Sequence, residues 1–572
     1  MNLNLKAEDQ HTYDAIVVGS GISGGWAAKE LTEKGLRVLL LERGKNVKHI
    51  EDYTTANTQI WEFPHRGRLT LDQKEGRPVQ TREGSYPFNE QNGNFWADDL
   101  ANPYIEEKRF DWYRGYQVGG KSLTWGRQCY RWSDLDFEAN IKEGIGTDWP
   151  IRYKDLVPWY EYVEKFVGIS GAVEGLDVLP DSIFLPPMEM NCVEKEVKQR
   201  IEKNFAGRKM IMGRAAHLTQ PGKIQLDLGR SQCQYRNQCS RGCVYGGYFS
   251  TNAATLPAAM KTGKLTLRPF SIVHSIIYDN KLGKAKGVRI VDAQTKESTE
   301  YFAKIIFVNA SAINSAYILL HSTSDRFPNG LGNESGELGH NLMDHHSRVG
   351  ASGVMEGFED KYYYGQRANG IYIPRFRNVG SDKRDYLRGF GYQGNASRQG
   401  WARGIAEMNF GADFKEQLTK PGPWTMGLSS FGEHLPDHRN YVYLDKNKKD
   451  PYGLPMLVID CEYRDNEKKM RIDMMNDAAE MLEAAGLKEV KGYDRGGVPG
   501  QSKHEMGTAR MGTSAKNSVL NKNNQVWGCE NVFVTDGAAM ASSSCVNPSL
   551  TYMALTARAV DFAVKELNKQ NI

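Results

Sequence analysis

Residues 14–44, DAIVVGSGISGGWAAKELTEKGLRVLLLERG, restrict the fold more than any other stretch of the chain. Residues 15–18 are an apolar run of strand length, 22–34 carry helical spacing, and 37–41 are a second apolar run ending at Glu42. Together they spell a βαβ unit. Its first turn holds Gly19, Gly21 and Gly24 in the spacing GxGxxG. Gly19 permits the tight turn, Gly21 lets the backbone approach a pyrophosphate, and Gly24 lets the helix pack close to the strand. The helix start then offers unpaired N–H groups and a positive dipole end to the phosphates. Glu42 stands where a carboxylate is expected to accept from a ribose hydroxyl. A lone GxGxxG would say little. Strand, turn, helix, strand and acid in this order predict a dinucleotide site, without separating NAD from FAD.

A chain of 572 residues exceeds one ordinary core. Residues 62–103 are polar, Gly/Pro-rich and unpatterned, too long for a routine connection, and read as a covering lid or as a surface insertion. A second glycine-rich strip follows in YQVGGKSLTWGRQCYRW, residues 116–132, where Gly119, Gly120 and Gly126 let backbone pass against a bulky ligand. A helix over 255–260 and strands over 265–268, 272–278 and 304–308 read as the second half of a doubly wound domain. Between 344 and 500 the texture changes to half-buried alternation in GIYIPRFRNV, YVYLD and LVIDCEYR, with one amphipathic helix carrying Met470, Met474, Ala478, Met481, Leu482 and Ala485 and ending at Gly486. The segment from residue 531 returns to nucleotide-domain grammar, a strand over 532–535 and a terminal helix opened by Pro548.

The expected fold class is therefore α/β, a Rossmann-like domain discontinuous in sequence with an inserted α+β domain on a mixed or antiparallel sheet. The expected division is 12–60, nucleotide domain, first part; 61–110, covering excursion; 111–345, second part, with some second-domain elements near 150–230; 346–499, second domain; and 500–572, third part.

Lys and Arg total 73 against 69 Asp and Glu, a net +4 that gives no nucleic-acid footprint and no polybasic membrane patch. No apolar run approaches the roughly 18 residues of a membrane span. The start, MNLNLKAEDQHTYD, lacks the apolar core of a signal peptide. The expected location is the cytoplasm, or the periplasm if a signal-bearing partner exports the chain.

These marks resemble the glucose-methanol-choline (GMC) oxidoreductases over nearly the whole length. They are the first GxGxxG with Glu42, GGKSLTWG, GELGHNLMDHH at 336–346, HEMGTARMG at 504–512 and TDGAAMASSSCVNPSLTYMALTARAV near the end. Within that family the chain looks most like bacterial sugar and glycoside dehydrogenases, including gluconate, fructose and glucoside 3-dehydrogenase flavoprotein subunits, and pyranose-oxidase relatives. The resemblance implies FAD, with contacts from Gly19, Gly21, Gly24, Glu42, Gly119, Gly120, Ser122, Thr124, Val273, Asp536, Gly537, Asn547 and Pro548. Thr124 stands where some relatives carry the His that attaches FAD covalently, which implies non-covalent binding here. Ala316 stands where the family's second signature usually has proline.

The family's catalytic pair falls on His504 and Asn547. An imidazole suits a base that takes the hydroxyl proton while the carbinol hydride moves to flavin N5. Asn547 cannot be that base, but its amide can hold the alcohol oxygen. His345, His346 and His434 are further candidates for the substrate cavity. Of eight cysteines, Cys233, Cys239 and Cys243 form Cx5Cx3C. Three thiolates match the ligand count of a [3Fe-4S] cluster, which several family subunits carry in this region as an electron exit, while a zinc site and bare thiols stay open.

The resulting expectation is an FAD-dependent dehydrogenase that oxidises a secondary hydroxyl of a sugar or glycoside, at C3, to a ketone. Electrons would go to a cytochrome- or quinone-type acceptor, with a small export or assembly subunit as partner. An oxygen-using pyranose-type oxidase, an NAD(P)-dependent dehydrogenase and a non-catalytic electron-relay subunit are the rival readings.

Overall fold

The computed structural model describes residues 11–82, 88–362, 367–400 and 411–572. The first ten residues, read above for an export signal, lie outside the described residues, as do 83–87 of the excursion and 363–366 and 401–410 of the expected second domain.

Three sheets organise the described residues. The first has eight strands, and its centre is parallel. Thr12–Val18 pairs on one side with Val38–Leu41, which pairs with Leu265–Arg268, and on the other with Ser298–Val308, which pairs with Cys529–Val534. Uninterrupted apolar runs suit such strands because both faces are covered. Val38, Leu39, Leu40 and Leu41 are each at most 1% exposed, and burial of such side chains stabilises by about 1.5–3 kcal/mol apiece. On one face Val38 and Leu40 pack on Ala27 and Leu31 of helix Ile22–Glu33 and on Val560 and Ala563 of helix Ser549–Asn568. On the other, Leu39 and Ile306 join Ile313 and Leu319 of helix Ala312–His321. The hairpin Ser271–Asp279 and Lys284–Asp292 adds antiparallel strands beside Ser298–Val308.

The second sheet has six antiparallel strands in the order Lys488–Asp494, Val349–Met355, Trp424–Gly432, Phe390–Arg398, Ile371–Ile373 and Ile211–Met212. Helix Asp465–Ala484 lays Met470, Met474, Ala478, Met481 and Leu482 on it, beside Val193, Val197 and Ile201 of helix Cys192–Asn204. Gly486, at φ +85°, supplies the left-handed residue that stops the longer helix. Trp424–Gly432 alternates buried and half-buried side chains, as a one-sided sheet requires.

The strands expected from YVYLD and LVIDCEYR form, but in a third sheet. Tyr441–Lys449 pairs antiparallel with Pro455–Asp460, which pairs parallel with Ile105–Glu106. The reason is apolar burial against the first unit: Val442, Leu457 and Ile459 belong to the core that holds Ile313 and Leu319. Tyr317 Oη also donates to the Pro455 carbonyl at 3.1 Å.

A buried ionic cluster joins the second sheet to the first unit. Arg375 contacts Asp136 at 2.9 Å and Glu433 at 3.4 Å, while Arg388 contacts Glu433 at 2.8 Å and also Glu143. Ser544 Oγ donates to Asp136 at 2.8 Å, so the cluster reaches the loop that carries Asn547. No helix among the described residues is long and apolar enough to cross a membrane.

Candidate active site

One continuous cavity runs from the first βαβ turn to the segment before the terminal helix, and Gly21, Glu42, Thr124, Val273, His504 and Asn547 line it. Its walls show why glycine is needed. At Gly24 a Cβ would overlap the Gly19 carbonyl, so only glycine lets this helix lie on the strand. At Gly21 a Cβ would meet nothing within 4 Å, which leaves room for a ligand group against the backbone. Gly119, at φ +93°, donates its N–H to Ser20 Oγ at 3.0 Å and so ties the second glycine strip to the first. Gly120 lies over Gly21, where a Cβ would come 3.4 Å from the Gly21 Cα. Ser122 Oγ donates to the Gly119 carbonyl at 2.6 Å and accepts from Thr251 N–H, holding the strip in shape.

Three helix starts converge on this cavity: Ile22–Glu33, Ala312–His321 and Ser549–Asn568. None has a side-chain cap bonded to its first turn, and none has an acidic residue there. Unpaired N–H groups and three positive dipole ends therefore face a space suited to an anionic ligand. Glu42, fully buried, accepts from Ser20 Oγ at 2.6 Å, Ser20 N–H at 3.1 Å and Gly44 N–H at 3.0 Å, and burial raises its pKa. Asp536 accepts from Ala538 N–H at 3.0 Å and Ser315 Oγ at 2.6 Å, which fixes the turn at Gly537, and burial raises its carboxyl to about 6. Glycine cradles, uncapped helix ends and a ribose-type carboxylate along one cavity fit a dinucleotide, FAD included.

At the far end His504 Nε2 stands 3.5 Å from Asn547 Nδ2. Asp344 shapes the loop beneath: its carboxylate accepts from the N–H groups of His504, Ser502 and Gly500 at 2.9, 3.0 and 2.9 Å. The His504 ring is pushed well below the ordinary imidazole pKa, first by burial and then by His345, Lys121 and Lys503. Burial thus favours the neutral ring. Asn547 Oδ1 accepts from Gln393 Nε2 at 2.9 Å, which turns the amide nitrogen toward His504.

Of the other histidines, His345 reaches the site, its Nδ1 lying 2.9 Å from His504 Nδ1. His346 and His434 are buried behind it, each packed on Tyr463, and do not line the cavity. Asp344 and Gln393 were not foreseen from sequence. Asp344 adjoins His345 in MDHH, a nearby signal, whereas Gln393 sits in the polar stretch FGYQGNASR and has none. Arg510 pairs with Glu337 at 3.1 Å, a scaffold contact.

The three clustered cysteines are not gathered as a ligand set: among the described residues no group of three His, Cys, Asp or Glu is placed to hold a metal. Cys239 instead packs its sulfur 3.7 Å from His217 Nε2, and Cys233 is fixed by its own N–H to the Leu218 carbonyl. Burial raises the Cys233 thiol to about 11 and raises Cys239 too, which disfavours thiolates. The expected [3Fe-4S] cluster is therefore not shown by this loop.

Two family models described as GMC oxidoreductase match the chain, over residues 13–347 and 436–556. The 2-methyl-1,2-propanediol dehydrogenase of Mycolicibacterium austroafricanum is 29% identical over 96% of this chain and 94% of its own. The fructose dehydrogenase large subunit of Gluconobacter japonicus is 26% identical over 97% and 98%. The crystal structure of pyridoxine 4-oxidase from Mesorbium loti superposes with a TM-score of 0.62 at 15% identity, covering 96% of this chain and 99% of that one.

Proposed function

The chain belongs to the GMC oxidoreductases, a family that binds FAD, and from that membership we propose a non-covalent FAD dehydrogenase that oxidises a secondary hydroxyl of a sugar or glycoside, at C3, to a ketone. Its coarse activity is that of an FAD oxidoreductase acting on alcohol- or sugar-type substrates. The observation that carries carbinol oxidation is the facing pair, His504 Nε2 and Asn547 Nδ2, at 3.5 Å at one end of the cofactor-type cavity; the glycoside and its C3 rest on the resemblance to sugar and glycoside dehydrogenases.

In this reading the Gly19–Gly24 turn, Glu42, Gly119, Gly120, Ser122, Thr124, Val273, Asp536, Gly537, Asn547 and Pro548 hold the cofactor. Thr124 offers no imidazole for a covalent link. Bound FAD supplies the two-electron acceptor for oxidation of the carbinol. The chain's own residues manage the proton and the geometry. Burial keeps His504 neutral, so Nε2 can take the hydroxyl proton. The Asn547 amide donates to the same oxygen and limits its orientation. Asp344 holds the His504 backbone, and Gln393 holds Asn547.

The name of one relative, a dehydrogenase large subunit, supports a partner subunit; in this reading the electrons pass to an acceptor other than oxygen, of cytochrome or quinone type. The test is an anaerobic visible spectrum of the purified flavoprotein titrated with alkyl glycosides, free sugars and simple diols, followed by product analysis. Rapid bleaching by glycosides with a 3-keto product is expected. Bleaching by diols alone would overturn the substrate class, and stoichiometric peroxide in air at the rate seen with artificial acceptors would overturn the acceptor.

A further inference from the structure

We propose that His345 sets the tautomer of His504 and so decides which of its ring nitrogens can act as the base; the inference rests on the reading of His504 given above. The hydrogen-bond polarity leaves one consistent arrangement. His345 Nε2 lies 3.0 Å from the Ser543 carbonyl oxygen, which can only accept, so this nitrogen carries the ring proton. His345 is fully buried, and burial holds its pKa down to about 4, so the ring is neutral and its Nδ1 is a bare acceptor. His504 Nδ1 lies 2.9 Å from that acceptor and must therefore be the donor. A neutral His504 protonated at Nδ1 has its lone pair at Nε2, the atom facing Asn547 and the cavity. The chain of polarity runs from a main-chain carbonyl, through one imidazole, to the reactive nitrogen of the next.

His345 touches neither the cavity nor a reacting atom, so it is a positioning residue. It does not carry the proton away, because a carbonyl oxygen beyond it cannot take one. Its place is itself fixed: the His345 carbonyl accepts from Tyr463 Oη at 3.1 Å, and its ring stands at 82° to that of His504. Without the Nδ1 acceptor the two neutral forms of His504 would compete, and the form protonated at Nε2 cannot act as base.

The experiment is magic-angle-spinning NMR of the holoenzyme labelled with 15N in its histidine rings, with His504 signals identified by their loss in His504→Gln. A protonated Nδ1 and a bare Nε2 on His504 are expected. In His345→Phe a second His504 form protonated at Nε2 is expected, with the rate of flavin reduction at saturating substrate lower by on the order of 10²-fold and the substrate dissociation constant little changed. In His345→Gln the side-chain oxygen can accept from His504 and the amide can donate to Ser543, so most of the rate and the wild-type nitrogen spectrum should return. An Nε2-protonated His504 in the wild-type enzyme, or wild-type reduction by His345→Phe, would overturn the proposal. If His345→Phe fails to hold FAD, the wild-type spectrum and the Gln variant decide. Undiminished reduction by His504→Gln would instead overturn the base assignment, while the spectrum still reports the tautomer.

Discussion

His504 and Asn547 belong to different loops, and each is oriented by a residue far away in sequence. Gln393 comes from the second sheet and bonds Asn547 across 154 positions, so the His504 end of the cavity is shared between the two units. Replacing the proposed base by His504→Gln is expected to slow flavin reduction by about 10²–10⁴-fold while leaving the bound-flavin spectrum intact, a comparison that stopped-flow absorbance makes directly. Gln393→Leu removes one hydrogen bond from Asn547, about 1 kcal/mol. Single-turnover reduction should slow about fivefold, with FAD content unchanged. At this scale the motif-bound residues were legible because glycine turns and the HxxGTxRMG loop are local patterns. His345 was legible only as one of three candidates, since His345, His346 and His434 are all buried and differ in what their rings face, which spacing does not encode.

Among the elements, the first βαβ unit depends on close contact rather than on helix propensity. Gly24→Ala would drive a methyl into the Gly19 carbonyl and push helix Ile22–Glu33 off its strand. The expected result is loss of FAD on gel filtration and a lower thermal midpoint, even though alanine is the better helix former. The ionic cluster between the units makes a second prediction. Arg388→Met leaves Glu433, 1% exposed, with Arg375 alone, at 3.4 Å, and removes the partner of Glu143. Breaking a buried pair from one side costs about 3–5 kcal/mol, so the urea midpoint should fall clearly, and Arg388→Met with Glu433→Leu should recover part of it. The second sheet was the least legible element. Its central strands carry Gly350, Gly353, Gly391, Gly394, Gly427 and Gly432, which dilute the β-branched signal of a strand. The structure explains two of them most directly, because a Cβ at Gly350 would overlap the Leu428 carbonyl and one at Gly394 the Gly427 carbonyl. Strands 441–449 and 455–460 were legible as strands but not in their partner, since alternation reports which face is buried and not what buries it.

For the whole molecule, the cavity draws its walls from residues near 20, 120, 273, 311, 504 and 547. A ligand that bridges such distant segments is expected to stabilise them as one body, by an amount that grows as RT ln(1 + [L]/Kd). Stripping FAD should lower the thermal midpoint, and scanning calorimetry of the holoprotein should show one transition where the stripped protein shows two. The same layout bears on synthesis. Ile16 pairs with Ile306, and Ile306 with Val532, so the sheet that opens with the first strand is closed only by one of the last to leave the ribosome. The glycine turn emerges early, yet the helix that covers it from the other end, Ser549–Asn568, arrives some 500 residues later. Cofactor capture is thus expected only after these late segments have been made, and a nascent chain arrested before residue 529 is expected to carry the glycine turn of the first strand without the strand and helix that complete its cavity.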